Sequence, residues 1–268
     1  MAPFTCGSIM EWAINGISRI FPFVTGLGRM THFFLRALGS AFRPKFYGAN
    51  TLEQMERMCI HCLIPILFVL APMGAVIAME SLKVFSMFGA ASMTSSLLSV
   101  MLFREVAPVM VAIMVASQTG AEMASELGAM RVKGEIDAME VMSVDTTKAL
   151  IVPRLIAGVT ITPILMIIGT FTGIAGGYVI AVMVKGSNQG GFMDNLFAWL
   201  NMMDVAGGCI KAAVFGLVVI LISCYHGFHV RGGAAAVGQA TNDAIVNSIV
   251  SILLFNYFLT TAFFGFNI

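Results

Sequence analysis

The sequence predicts an all-α integral membrane protein, with N-terminal amphipathic helices in the membrane interface followed by five transmembrane helices. Of the 268 residues, 58% are hydrophobic and only 11% are charged, although a soluble domain usually carries roughly a quarter charged residues. The apolar residues form five runs long enough to cross a bilayer. The basic residues collect on one side of these runs, which is typical of membrane proteins. Because the chain cannot cover its surface with polar groups, we expect its solvent to be lipid.

Residues 1–50 differ from the rest and predict an interfacial region ahead of a five-span domain at residues 51–268. Between residues 11 and 46, apolar side chains alternate with basic ones, and glycines interrupt the segment. A basic amphipathic stretch of this kind lies in the membrane interface rather than crossing it. The alternative is a short additional span over Ile14–Leu27, although Arg19 interrupts it.

Five apolar runs are long enough to span the membrane, since a helix needs roughly 20 residues to cross a ~30 Å hydrocarbon core. They are Met58–Met79, Ser96–Ser117, Leu155–Val184, Val205–Tyr225 and Ala244–Phe264. The odd number argues against two inverted halves within one chain. A two-fold dimer would double the number of spans and create a central cavity.

The basic residues predict the orientation. If Lys83, Lys185 and Lys211 lie outside and Arg104 lies within the second span, eleven of the fifteen Lys and Arg residues are cytoplasmic. This distribution follows the positive-inside rule with a cytoplasmic N-terminus, and five spans then place the C-terminus outside. The N-terminus lacks a basic segment followed by a long apolar stretch, so we expect no cleavable signal peptide.

The longest cytoplasmic loop, residues 118–152, contains a strongly patterned polar segment. Ile136, Met139 and Met142 recur at helical spacing and share one face, whereas acidic residues keep the other faces charged. A helix of this kind must bury its apolar face. The apolar groove of a soluble partner is one candidate receiver, and a helix folded back on its own membrane domain is the other.

Four charged residues are expected within the spans or at their outer ends, namely Arg104, Glu105, Asp204 and Lys211. A charge at such depth is costly unless it is paired or wetted. Similar depths make Glu105 with Lys211 and Arg104 with Asp204 feasible pairs. Two interpretations stay open: ion pairs that hold spans together, and a polar patch that lines a lipid cavity.

Other chemistries find little support. The sequence lacks the dipeptide Gly-Lys, so it has no Walker A phosphate-binding loop. Cys59 and Cys62 have no second ligand pair at finger-like spacing, so we expect inert thiols and no metal site. The net charge of +1 argues against nucleic-acid binding.

Several spaced motifs together resemble one known family. They are Leu-Phe-Arg-Glu-Val-Ala-Pro-Val at 102–109, Glu-Leu-Gly-Ala-Met at 126–130, Glu-Ile-Asp-Ala-Met-Glu-Val-Met-Ser-Val-Asp at 135–145, Val-Pro-Arg at 152–154 and Asn-Tyr-Phe-Leu-Thr at 256–260. This combination resembles the MlaE (YrbE) family of lipid-transporter permeases, from about Phe46 onward. The resemblance implies the non-enzymatic membrane subunit of an ABC transporter in a bacterial inner membrane.

The resemblance also implies a substrate and partners. The substrate would be phospholipids or related hydrophobic lipids, moved between the inner membrane and an extracytoplasmic MCE-domain carrier protein. This chain would form a homodimer with two cytoplasmic ATPase subunits that bind ATP and Mg, and with a small accessory subunit as a further candidate partner. It would bind no cofactor itself. The family's coupling helix corresponds to a segment that includes Glu126, Gly128, Met130, Lys133, Glu135, Ile136, Asp137, Met139 and Glu140.

Two functions of other classes remain as alternatives. A membrane-embedded lipid-modifying enzyme would use Glu105 or His61 as an acid or base, and an ion-coupled secondary lipid carrier would use Glu105 as its titrating group. Dependence on ATP separates the ABC permease from both alternatives, and product chemistry identifies the enzyme.

Overall fold

A computed structural model describes residues 48–143 and 145–264 of the chain. These residues form helices without a β-strand in the described ranges, and they belong to one compact unit, Lys45–Ile268. The predicted all-α fold is therefore confirmed. The prediction of interfacial helices concerns residues 1–50, nearly all of which lie outside the described residues.

The helices follow one another with short connections. Within the described ranges, the α-helices are α1 (Gly48–Met87), α2 (Thr94–Met101), α3 (Ala107–Val115), α4 (Ala121–Val132), α5 (Glu135–Val141), α6 (Val152–Tyr178), α7 (Gln189–Asn195), α8 (Met202–Phe228) and α9 (Ala234–Phe264). A 3-10 turn at Ala91–Met93 precedes α2, and π-helical turns occur at Leu102–Val106, Ala116–Gly120, Thr147–Ile151 and Val179–Val184. Because lipid offers no hydrogen bonds, continuous helical backbone is what the hydrocarbon core requires.

Five helical segments are long and apolar enough to cross a membrane. They are Asn50–Met87, Ala91–Val132, Thr147–Val184, Met202–Phe228 and Ala234–Phe263. The first four predicted apolar runs lie inside the corresponding segments, and the fifth run ends one residue later than its segment, at the last residue of α9. The second segment joins α2, α3 and α4 through two π-helical turns.

The second segment continues farther than its apolar run predicts. The sequence analysis ended this span at Ser117 and assigned residues 118–152 to a loop, but the helix runs on to Val132. The polar residues beyond Ser117 are stable in the helix because they meet partners on other spans: Glu122 contacts His61 at 2.8 Å. The connection to α5 consists only of Lys133 and Gly134.

Glycines let α6 pack closely against α1. A Cβ atom added at Gly74 would overlap the carbonyl group of Gly173, and one added at Gly176 would overlap the carbonyl group of Ala71. Small residues at a helix interface let the two backbones approach closely, and this approach occurs between two helices of the same chain. The third segment lies at the centre of the fold. In its most apolar stretch of 18 residues, 61% is buried, compared with 17% in the corresponding stretch of the fifth segment.

Candidate functional site

Four charged residues meet where the π-helical turn Leu102–Val106 faces α8. Arg104 Nε donates to Asp204 Oδ1 at 2.8 Å, and Lys211 Nζ donates to Glu105 Oε1 at 2.9 Å. The structure thus brings together the two pairs that similar depth made feasible. Arg104 and Glu105 lie within the π-helical turn, a distortion that is frequent at functional sites.

Lys211 is the buried anchor of this network, with a side chain that is 0% exposed. Besides Glu105, its ammonium group donates to Thr260 Oγ1 at 2.6 Å and to the backbone carbonyl of Arg104 at 2.9 Å. An ammonium group has three N–H donors, and these three acceptors match them in number. A buried cation in lipid is tolerable only with such partners.

Glu105 receives hydrogen bonds on both carboxylate oxygens. Thr260 Oγ1 donates to Oε1 at 2.9 Å, and Asn256 Nδ2 donates to Oε2 at 3.0 Å. Both partners lie on α9 with the i, i+4 spacing that places side chains on one helix face. The sequence analysis did not assign these two residues to the site, although a polar pair at this spacing within an apolar helix is a usable signal.

The second pair combines a buried carboxylate with a half-open guanidinium group. Asp204 accepts from Arg104 and also from the backbone N–H of Asn201 at 3.0 Å, where it completes the capping box at the start of α8. The side chain of Asp204 is 3% exposed, whereas that of Arg104 is 35% exposed. Glu105 is 36% exposed as well. The network therefore rests on two buried residues and presents one cation and one anion to its surroundings.

A second polar layer lies farther along the same span. Arg104 and Glu122 are 18 residues apart, or about 27 Å at 1.5 Å per residue. His61 Nδ1 lies 2.8 Å from Glu122 Oε2, and Arg154 Nη2 donates to Glu126 Oε2 at 2.7 Å. The side chain of Arg154 is only 4% exposed. Polar side-chain contacts thus join α1, α4 and α6 at this level.

The helix pair α4–α5 carries the residues that the resemblance assigned to coupling. Gly134, with φ of 75°, separates the two helices, and Arg131 Nη1 donates to Asp137 Oδ1 at 2.6 Å across the bend. Among the assigned residues, Gly128 and Ile136 are buried, Glu126, Met130 and Met139 are half-buried, and Lys133, Glu135, Asp137 and Glu140 are exposed.

The apolar side chains of α5 are buried at the start of the helix and exposed at its end. Ile136 is 0% exposed, whereas Met142 is 67% and Val141 is 86% exposed. The three residues that helical spacing places on one face therefore differ in burial: Ile136 is buried, Met139 is half-buried and Met142 is exposed. The first turn of α5 packs on this chain, and the end of the helix presents apolar side chains outward.

The cysteines and histidines do not assemble into a metal site in the part of the chain that the structure describes. Cys59 and Cys62 are free thiols, and Cys62 Sγ lies 3.0 Å from Thr119 Oγ1. His226 Nε2 is 3.0 Å from Asn247 Nδ2. These contacts account for the side chains as packing and hydrogen-bonding groups.

The MlaE permease family model matches residues 51–262 of the chain. A probable ABC transporter permease protein of Rickettsia bellii is 37% identical over 89% of this chain and 92% of its own length. The intermembrane phospholipid transport system permease protein MlaE of Haemophilus influenzae is 29% identical over 92% of this chain and 99% of its own length. A chloroplastic protein of Arabidopsis thaliana, TRIGALACTOSYLDIACYLGLYCEROL 1, is 31% identical over 83% of this chain and 63% of its own length. Together with the five spans, these matches show that the chain is an ABC transporter permease that belongs to the MlaE family.

Proposed function

We propose that this permease moves phospholipids or related hydrophobic lipids between the inner membrane and an extracytoplasmic MCE-domain carrier protein. The observation that carries the proposal is the half-open charge network. Arg104 and Glu105 are each about one-third exposed within the apolar part of the second span, so a polar headgroup can exchange hydrogen bonds with them while its acyl chains remain in apolar surroundings. The relative whose name includes phospholipid transport supports the same substrate class.

A separate cytoplasmic ATPase dimer would supply the energy, with ATP and Mg bound by that partner rather than by this chain. The exposed end of α5, with Val141 and Met142, offers a small apolar surface, and the same helix exposes Glu135, Asp137 and Glu140. An apolar groove on the ATPase would bury this surface. The small accessory subunit would bind on the same side of the membrane.

A second copy of this chain would complete the transport pathway. The fifth segment is the least buried of the five spans, with 17% of its window buried, and it exposes the apolar residues Leu253, Leu254, Phe255, Tyr257 and Phe258. The helix that carries Asn256 and Thr260 thus also has the apolar surface that a two-fold partner requires. We propose that the homodimer forms along α9, with the two charge networks facing a shared cavity.

Reconstitution tests this function. The complex of permease, ATPase and MCE protein, placed in vesicles with a fluorescent phospholipid, should transfer lipid to or from the carrier only with hydrolysable ATP. Glu105→Gln should reduce the transfer rate while the complex still assembles, whereas Glu80→Gln, a change in an exposed pair on α1, should not. Transfer that persists without ATP but follows an ion gradient would identify a secondary carrier instead, and altered lipid products would identify an enzyme.

A further inference from the structure

The charged layer at the α4 end of the membrane domain forms a groove that has no role in the function proposed above. The groove between α1 and α4 is lined by residues that include Gln54, Arg57, Thr119, Glu122 and Glu126. We propose that this groove binds the headgroup of a phospholipid that carries both a phosphate and a primary amine. The inference rests on the proposed function only for the class of molecule, a phospholipid.

The sequence of α1 places the groove at a membrane surface. Between His61 and Glu80, residues 62–79 contain no charged side chain. These 18 residues extend about 27 Å as a helix, close to the ~30 Å thickness of the hydrocarbon core. His61 and Arg57, one turn before it, therefore lie at headgroup depth when Glu80 lies at the opposite surface.

The groove also borders the lipid. Ile60, Ile64 and Phe68 follow the same helix and are 59%, 62% and 76% exposed. An exposed apolar face of this length on a spanning helix meets acyl chains. A headgroup bound by Arg57 and Glu122 would thus keep its chains against α1, which a free soluble phosphate compound could not use.

The charges in the groove suit a zwitterion. Glu126 is already held by Arg154 at 2.7 Å, which leaves Glu122 as the carboxylate best placed to take a new cation. Glu122 Oε2 contacts His61, while Oε1 lies 3.9 Å from Arg57 Nη1. That separation is too long for a good hydrogen bond. Arg57 Nη2 donates to Glu53 Oε1 at 3.1 Å, so Arg57 Nη1 and Glu122 Oε1 are the atoms that can bind a ligand's phosphate and ammonium groups, respectively.

The same chemistry predicts headgroup selectivity. A primary ammonium group donates N–H hydrogen bonds to a carboxylate, and these are stronger than neutral hydrogen bonds. A choline group has no N–H donor, and a glycerol headgroup has no cation. The guanidinium group matches the phosphate of all three lipids, so Glu122 is the residue that separates phosphatidylethanolamine from the other two.

Lipid retention in the whole permease–ATPase complex, without ATP, tests the proposal. The complex would be placed in nanodiscs of equal phosphatidylethanolamine, phosphatidylglycerol and phosphatidylcholine, and the lipids that stay bound would be counted by native mass spectrometry. The natural protein should retain phosphatidylethanolamine preferentially. Glu122→Gln should lower that retention at least about tenfold, the effect of losing a hydrogen bond between charged groups. Glu80→Gln, at the other end of α1, is the matched control and should change nothing.

Further arms make each result decisive. Arg57→Gln should weaken retention of all three lipids, whereas Arg57→Lys should keep most of it, and thermal unfolding would verify that each variant is folded. If Glu122→Gln does not fold, the two Arg57 variants decide. Equal retention by Glu122→Gln and the natural protein, or displacement of the lipid by soluble glycerophosphoethanolamine, would overturn the proposal. Neither ATP nor the MCE protein is present in this experiment. Lipid binding in the groove can therefore persist when lipid transfer fails, and lipid transfer can persist when binding in the groove is lost.

Discussion

Lys211 donates a hydrogen bond to the backbone carbonyl of Arg104 at 2.9 Å, the oxygen that lies four residues before Pro108. A proline has no N–H group, so Pro108 cannot make the α-helical hydrogen bond to this carbonyl. The ammonium group of Lys211 thus binds the second span where its backbone departs from an α-helix in two ways, at Pro108 and in the π-helical turn that contains Arg104. Lys211 connects α8 to the backbone of the second span as well as to Glu105.

Removing one partner of this network should cost more stability than removing both. Lys211→Leu leaves Glu105 unpaired and should lower the free energy of unfolding by about 3 kcal/mol, the lower end of the range for breaking a buried pair, because Glu105 is partly solvated. Glu105→Leu together with Lys211→Leu leaves no unpaired charge and should cost less. Denaturant unfolding in detergent would measure both.

The same double variant separates a structural role from a role in transport. If Glu105 and Lys211 meet lipid headgroups, the double variant should be folded and dimeric but transfer lipid poorly in the reconstituted complex. Full transfer by a stable double variant would remove both residues from the lipid pathway. The matched control is Lys83→Leu with Glu80→Leu, which removes an exposed pair and should leave transfer intact.

Two glycine positions differ sharply in the space that a methyl group would find. Gly74→Ala should destabilise the protein by roughly 1–3 kcal/mol, as overpacking does, because its Cβ would overlap the backbone carbonyl of Gly173. Gly238→Ala lies in α9 with no atom within 4 Å of the added Cβ and should be neutral or stabilising by up to about 1 kcal/mol. Thermal unfolding of the two variants side by side would compare them, and equal midpoints would contradict the tight α1–α6 contact.

The five spans were predictable because lipid imposes a length and an apolar composition on each helix. The end of the second span was not, because Glu122 and Glu126 are polar in sequence while their partners, His61 and Arg154, are distant along the chain. Hydropathy detects the charged residue but not its hydrogen-bonding partner on another helix. The helix could therefore continue to Val132, beyond its predicted end.

The charge network was predictable only in its charged members. Depth along each span matched Glu105 with Lys211 before any contact was known. Asn256 and Thr260 carry no charge, so nothing in the depth argument selected them. Likewise, helical periodicity placed Ile136 and Met142 on one face of α5, but it could not tell that one is buried in this chain and the other is exposed.

Cysteine labelling should establish the orientation that the positive-inside rule predicts. In a variant without native cysteines, Gln189→Cys on α7 should react with a membrane-impermeant maleimide added to intact cells. Glu135→Cys on α5 should react only after the membrane is opened. Both positions are exposed in the described structure, so access depends on the side of the membrane. Labelling of both from the same side would contradict the five-span topology.

Substitutions at the exposed end of α5, Val141 and Met142, should act differently from a substitution at the buried Ile136. Val141→Asp and Met142→Asp place charges on side chains that are 86% and 67% exposed, so these variants should fold normally but lose ATPase binding, because the apolar surface that a partner groove would bury is gone. Ile136→Asp puts a carboxylate at a fully buried position and should instead destabilise the permease by several kcal/mol. Copurification of the ATPase, together with the thermal unfolding midpoint of each purified variant, would measure the two effects independently.

Glu140→Gln is the control, since it keeps the apolar end of the helix unchanged. If Val141→Asp and Met142→Asp retain full ATPase binding, the end of α5 is not the coupling surface, and the partner must bind elsewhere on the α4–α5 pair.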